Sequence, residues 1–307
     1  MEKAKILFYT ISFLIFRPLS YIIPFRLYIE LIKILSFFAA PFFNKRKRIA
    51  KNNLFLIQDF SMEQINIALN EGIKSIYTHT LLDFIIDKWS PENSKKYVLI
   101  EGKEHLQQAL AGGKGVLLTF IHSNTQNVYL PCVGLIEKVY IIAILENLNR
   151  FSINSIHDKI REHLWESIRS TKFKYLNKKE SVNSKIGSLL KASKIVAISA
   201  DGLHAGKFFL VPFFNKKIKL PVGFAKLSKL FNAPIVPIFS GFDRKKNLFR
   251  VWLGNPIFSQ TPKMAAEAFS AQFQEHLKKY PSHWTGWWRM KLVKDEKGEE
   301  FFQIYSI

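Results

Sequence analysis

The sequence predicts an α/β fold: a mostly parallel central sheet flanked by helices, with an N-terminal hydrophobic helical membrane anchor. Three observations point to it. From residue 97 onward, short apolar runs alternate with helix-length segments. From residue 6 to residue 43 the chain is mostly apolar, interrupted by prolines and isolated charges, and a basic run closes it at 45–48. A length of 307 residues with 48% hydrophobic content suffices for a large packed core.

The N-terminal stretch reads "KILFYTISFLIFRPLSYIIPFRLYIELIKILSFFAAPFFNKRKRI" (5–49). Arg17-Pro18, Pro24, Arg26, Glu30 and Lys33 interrupt it, and its first unbroken run, Ile6 to Phe16, is shorter than the ~20 apolar residues a span needs. No small-residue cleavage site follows, which argues against a secretory signal. Broken apolar helices lying in one leaflet fit this pattern, with Lys45, Arg46, Lys47 and Arg48 placed for anionic headgroups on the cytoplasmic side. Residues 1–49 are therefore read as a membrane-associating anchor and 50–307 as the α/β domain. A helical hairpin packed on its own domain and a full span are the alternatives.

Residues 51–92 read as helical, with an N-cap at Ser61 and Glu63 in the first turn. Strands are expected at Tyr97–Ile100, Val116–Ile121, Val139–Leu145, Val196–Ala200, Pro234–Ser240 and Leu248–Leu253. Helices are expected at Glu104–Ala111, Asn124–Leu135, Ile153–Ser170, Val182–Ala192, Val222–Phe231 and Pro262–Lys279. No repeat, low-complexity linker or second compact domain interrupts the alternation.

Composition narrows the partners. Lys+Arg 45 against Asp+Glu 24 gives a net charge of +21, which favours an acidic partner: nucleic acid, an anionic membrane surface or an acidic carrier protein. An aromatic content of 14% favours the membrane, and no nucleic-acid-binding motif accompanies the charge. Cys132 is the single cysteine, so an intramolecular disulfide and a cysteine-built metal site are excluded. No metal or redox cofactor is expected.

The stretch "GKGVLLTFIHSNTQNVYLP" (113–131) carries the clearest chemical signal. His122 stands at the exit of an apolar strand, and in parallel α/β sheets ligands gather at the carboxyl ends of strands. A histidine there can act as general base for a hydroxyl nucleophile if a neighbour accepts a hydrogen bond from its other ring nitrogen. Asn127, about one and a third turns into the next helix, lies within reach. An ordinary buried histidine is the alternative.

The same segment resembles the H-x-x-x-x-[DE] motif of the glycerophospholipid/lysophospholipid acyltransferase superfamily, and more narrowly the bacterial lipid A biosynthesis lauroyl/myristoyl acyltransferases. Other blocks resemble that family in the same order: "RIAKNNLFLIQDFSMEQ" (48–64), "GSLLKASKIVAISADGLHAGKFFLVPFFNKKIKLPVGFAKLSKLFNAPIVPIF" (187–239) and "YPSHWTGWWRMK" (280–291). The resemblance implies a membrane-associated O-acyltransferase at the cytoplasmic face of the inner membrane. It would move a fatty acyl group from acyl carrier protein or coenzyme A to a hydroxyl of a lipid or glycolipid acceptor. The departure is Asn127, which stands where the family has an acid. An amide can orient an imidazole but cannot compensate an imidazolium; Asp201, at the end of the next candidate strand, is the preferred substitute carboxylate. A non-catalytic membrane protein that binds acyl chains or anionic lipid on the same fold is the rival reading.

Further candidates each have a plainer alternative. Lys207 opens "KFFLVPFFNKKIKLP" (207–221), either a headgroup contact or a hairpin with one packed and one solvated face. Arg150 and Arg161 could bind phosphate or be surface charge, Asn124 could serve the site or cap a helix, and His204 could be a surface residue. "AGGKG" (111–115) lacks P-loop spacing and reads as a turn. Trp284, Trp287 and Trp288 with Arg289 form either an interfacial belt or a cap over the core.

Overall fold

The structure is a computed structural model that describes residues 2–39, 44–85, 88, 90–123, 125–134, 139–145, 171–177, 182–202, 206–243 and 246–305. Its strands are β1 (Val98–Glu101), β2 (Val116–Phe120), β3 (Val139–Leu145), β4 (Thr171–Asn177), β5 (Ile195–Ser199), β6 (Phe208–Phe213), β7 (Lys216–Pro221), β8 (Ile235–Asp243), β9 (Leu248–Leu253), β10 (Met290–Lys294) and β11 (Glu300–Ile304). Its described helices are α1 (Glu2–Ile22), α2 (Phe25–Ala39), α3 (Asn44–Ile57), α4 (Met62–Asp83), α5 (Pro91–Tyr97), α6 (Lys103–Ala111), α7 (Gln126–Gly134), α8 (Val182–Lys191), α9 (Gly223–Phe231) and α10 (Pro262–Lys279).

The central sheet has seven strands in the order β1-β9-β8-β2-β5-β3-β4, parallel except for the β8–β9 pair. Every residue of β2 is buried, as expected of a central parallel strand covered by helices on both faces. Leu117 and Ile121 enter one core cluster, while Val116, Leu118 and Phe120 enter the other. The turn before β2 needs its glycines. Gly113 has φ +66°, and a Cβ on Gly115 would lie 2.5 Å from the Leu190 Cα, so the end of α8 can rest directly on the start of the strand.

The expected strands are all present, within a residue at their ends except that β8 runs on past Ser240 to Asp243, and helices stand at every expected position inside the described residues. Ser61 caps α4 in a capping box with Gln64. The helix expected at Ile153–Ser170 lies outside the described residues. What the sequence reading lacks is β4 and a second sheet of four strands, order β10-β11-β7-β6. Residues 207–221 form its β6–β7 hairpin. Its closure depends on β11 pairing parallel with β7, Phe301 against Lys217, a contact between distant segments that leaves no local periodicity.

Among the described residues no helix is long and apolar enough to cross a membrane. Helix α2 packs into the α/β body: Tyr28, Ile29 and Ile32 are buried in the same cluster as Leu82, Tyr129 and Val236. The charges that break the apolar run are used internally. Arg17 donates to the Phe84 carbonyl at 2.7 Å, and Glu30 pairs with Lys33 and accepts from Asn247.

Candidate active site

Strands β2 and β5 run parallel and in register, Phe120 opposite Ser199, and the Ala200 N–H donates to the Phe120 carbonyl at 2.7 Å. Two residues further along each chain stand His122 and Asp201. The register therefore sets an imidazole beside a carboxylate at the carboxyl ends of two adjacent central strands. The His122 Nδ1 lies 2.6 Å from the Asp201 Oδ1. The His122 backbone N–H donates to both carboxylate oxygens at 3.0 Å, Ser199 Oγ donates to Oδ1 at 3.2 Å, and the Trp284 indole N–H donates to Oδ2 at 3.0 Å. The Arg289 Nη2 lies 3.9 Å from Oδ2.

Asp201 is completely buried, whereas the His122 side chain is 35% exposed. Burial alone would raise the carboxyl above its ordinary value. The His122 ring, the Arg289 guanidinium and the Trp284 hydrogen bond together outweigh burial, and the carboxyl is held well below the usual range. An ionised carboxylate only accepts, so Nδ1 must carry the proton between them. The lone pair of the neutral ring is then on Nε2, which has no partner among the described residues.

The loop after the strand is pinned by hydroxyls. Ser240, on neighbouring β8, bonds to Ser123 Oγ at 2.9 Å and to Thr125 Oγ1 at 2.7 Å, and all three side chains are buried. Thr285 donates to the His122 carbonyl through its N–H at 3.0 Å and its hydroxyl at 2.7 Å. His122 is thus held by its ring, its N–H and its carbonyl.

A model of the bacterial lipid A biosynthesis acyltransferase family matches residues 3–292. The chain belongs to this family. Membership implies an acyltransferase of the lipid A type. No curated protein matches the chain.

Of the sequence-derived candidates, the structure brings His122 and Asp201 together. Asn127 lies in the first turn of α7, its side chain outside the described residues, and the ring nitrogen it was expected to orient is bonded to Asp201. Asn124, Arg150, Arg161 and His204 lie outside the described residues. Lys207 is exposed at the foot of β6. The tryptophans form the cap rather than the belt. Trp284, Trp287 and Trp288 are all buried, and an indole in the core cannot lie in a lipid interface. Trp284, Thr285 and Arg289 are site residues that sequence reasoning missed. The signal was there, in the "PSHWTGWWR" block, but nothing local ties it to His122.

Proposed function

We propose that this chain transfers a fatty acyl group from a thioester to a hydroxyl of a lipid or glycolipid acceptor, with His122 as general base and Asp201 as its orienting carboxylate. The observation that carries the reading is the 2.6 Å contact between His122 Nδ1 and an ionised, buried Asp201, which leaves Nε2 as the basic nitrogen at the strand exit. The acceptor hydroxyl gives its proton to Nε2 as its oxygen attacks the thioester carbonyl. The tetrahedral intermediate then collapses, the thiolate leaves, and Nε2 returns the proton to sulfur. Asp201 stabilises the imidazolium between the two steps. Acyl carrier protein and coenzyme A are both acidic donors, compatible with a net charge of +21. Lys207, exposed beside the hairpin, suits an anionic headgroup.

Membrane association through the N-terminal helices, on the cytoplasmic face, belongs to the same proposal. Ile11, Leu14, Ile15 and Ile22 are exposed along one side of α1, and Leu27, Ile34 and Phe37 along one side of α2. The other sides of both helices pack on the protein. Helices apolar on both sides need a second apolar neighbour, and a leaflet fits helices too short or too broken to span it.

The rival, a non-catalytic lipid-binding protein, drew on Asn127. Asp201 on Nδ1 removes much of that motive, because a carboxylate is present in the orienting role. The test is mass spectrometry of lipids from cells lacking the chain, complemented with wild type or His122→Ala. Restoration of an acylated lipid by wild type alone supports the proposal; restoration by both sinks it.

A further inference from the structure

The segment from Trp284 to Arg289 touches the His122–Asp201 pair at more points than packing needs. Trp284 bonds the carboxylate, Thr285 holds the His122 carbonyl twice, and Arg289 faces Asp201 Oδ2 while donating through Nη2 to Thr285 Oγ1 at 3.2 Å. We propose that Trp284 and Arg289 are positioning residues for acyl transfer, a clamp that keeps Asp201 ionised and turned toward the His122 ring. This rests on the reading of His122 as general base.

The clamp is itself made rigid. The buried Asn53 of α3 donates to the carbonyls of Trp287 at 2.8 Å and Met290 at 2.9 Å, and the Trp287 indole donates to the Pro281 carbonyl. The Trp284 ring is wedged edge-on against Phe273 and Trp287, with centroids 5.0 and 4.9 Å away. A Cβ on Gly286 would lie 2.0 Å from the Trp284 ring, so only glycine lets the chain fold this closely around the indole. The bond from Trp284 to Asp201 therefore has a fixed direction.

Arg289 adds charge. Its Nε is buried with no partner among the described residues, a cost that a purely structural residue would not need to carry. The compensation is its position beside a fully buried carboxylate. The titratable and charged groups acting on Asp201 are the His122 ring and the Arg289 guanidinium. From α7, the buried Tyr129 phenol is kept protonated by burial and by the Asp201 charge. Removing the Trp284 donor or the Arg289 cation lets the His122–Asp201 pair retain a proton to higher pH.

The experiment uses the full chain, a lauroyl thioester of acyl carrier protein or coenzyme A as donor, and total lipid from a lipid A-producing bacterium as acceptor. Trp284→Phe keeps an aromatic ring and deletes the N–H; Arg289→Met keeps the stem and deletes the charge. Each is expected to lower kcat on the order of ten-fold, the effect of losing one hydrogen bond or close charge at a carboxylate. KM should change less than kcat, and the acid limb of the kcat profile should move to higher pH. Arg289→Lys should recover most of the Arg289→Met loss. A loss of rate with an unmoved acid limb, or wild-type kcat in a folded variant, overturns the clamp. Should Trp284→Phe fail to fold, Arg289→Met and Arg289→Lys decide by the same criteria. His122→Ala separates the two levels. If it is inactive while the clamp variants match wild type, only the clamp falls; if it is active, the general-base reading falls with it.

Discussion

Among the described residues two close histidine arrangements, one with a carboxylate and one with a second histidine, have opposite surroundings. His122 meets a buried carboxylate that accepts from an indole, a hydroxyl and the backbone and lies beside a guanidinium, with Nε2 unpartnered among the described residues and the ring partly exposed. His276 and His283 meet each other, Nε2 to Nδ1 at 3.2 Å, inside an aromatic box. His276 stacks on Phe239 at 4.7 Å and stands edge-on to Trp252, while His283 stacks on Tyr280 at 4.9 Å. Burial pushes His276 well below its ordinary value, and burial with the nearby Arg250 pushes His283 down to about 3, against a weaker opposing pull from Asp243. The first arrangement can receive a proton and have the charge balanced; the second excludes the charge. A histidine is made chemical or structural by the group on its second nitrogen.

The largest expected effect comes from breaking the chemical arrangement. His122→Ala should lower acyl transfer by about 10²–10⁴-fold, the usual contribution of a general base. Its melting temperature should stay near wild type, because the ring is partly exposed and its backbone N–H can still bond Asp201. Turnover measured beside a thermal melt checks both halves.

Next is the acid stability of the other pair. The folded-state values of His276 and His283 lie below the ordinary 6.5. As pH falls below about 6.5, the unfolded chain takes up protons that the native chain refuses, so stability is full above that value and declines toward pH 3. Asp201 has the usual carboxylate sign: its contribution is present above about 3.8 and is lost as pH falls further. Urea unfolding at pH 7.5 and 5.5 should show a loss on the order of 2–3 kcal/mol, about half from each histidine. The loss should shrink in His276→Leu, whose kcat should stay close to wild type. An equal loss in both proteins would mean the box does not exclude charge.

A smaller effect is expected at the membrane face. Replacing Leu14, Ile15 and Ile22 by Ser removes exposed apolar side chains, each worth about 1.5–3 kcal/mol when fully buried and less in an interface. Binding to anionic vesicles should fall at least ten-fold with the fold unchanged. Retained binding would place the contact elsewhere. Smallest is Ser240→Ala, which strands the Ser123 and Thr125 hydroxyls. It should cost about 1 kcal/mol of stability and a few-fold in kcat, read from the same assays.

His122 was legible because an unbroken buried strand, "VLLTFI", stops at it. Asp201 was legible as a carboxylate at a strand end and as the preferred substitute partner of His122, but the strand adjacency that joins them was not. β2 and β5 are adjacent only because β3 and β4 lie on the far side of β5, and strand order has no local signature. The Trp284 bond to Asp201 spans 83 positions and was equally hidden. In the N-terminal helices, Arg17 and Glu30 looked like breaks in an anchor; their partners, Phe84 and Asn247, lie in distant segments. Apolar pattern revealed the elements, while pairing between distant elements decided which polar residues meet.

The central claim is that Asp201, and not the residue in the family's usual acid position, is the partner of His122. Turnover of wild type, Asp201→Asn and Asn127→Ala in one assay tests it most directly. Asp201→Asn should lose on the order of 10²–10⁴-fold, since an amide cannot balance the imidazolium and can hold the wrong tautomer. Asn127→Ala should stay within about ten-fold of wild type, the range of one lost hydrogen bond. An active Asp201→Asn beside a dead Asn127→Ala would contradict the account and return the orienting role to position 127.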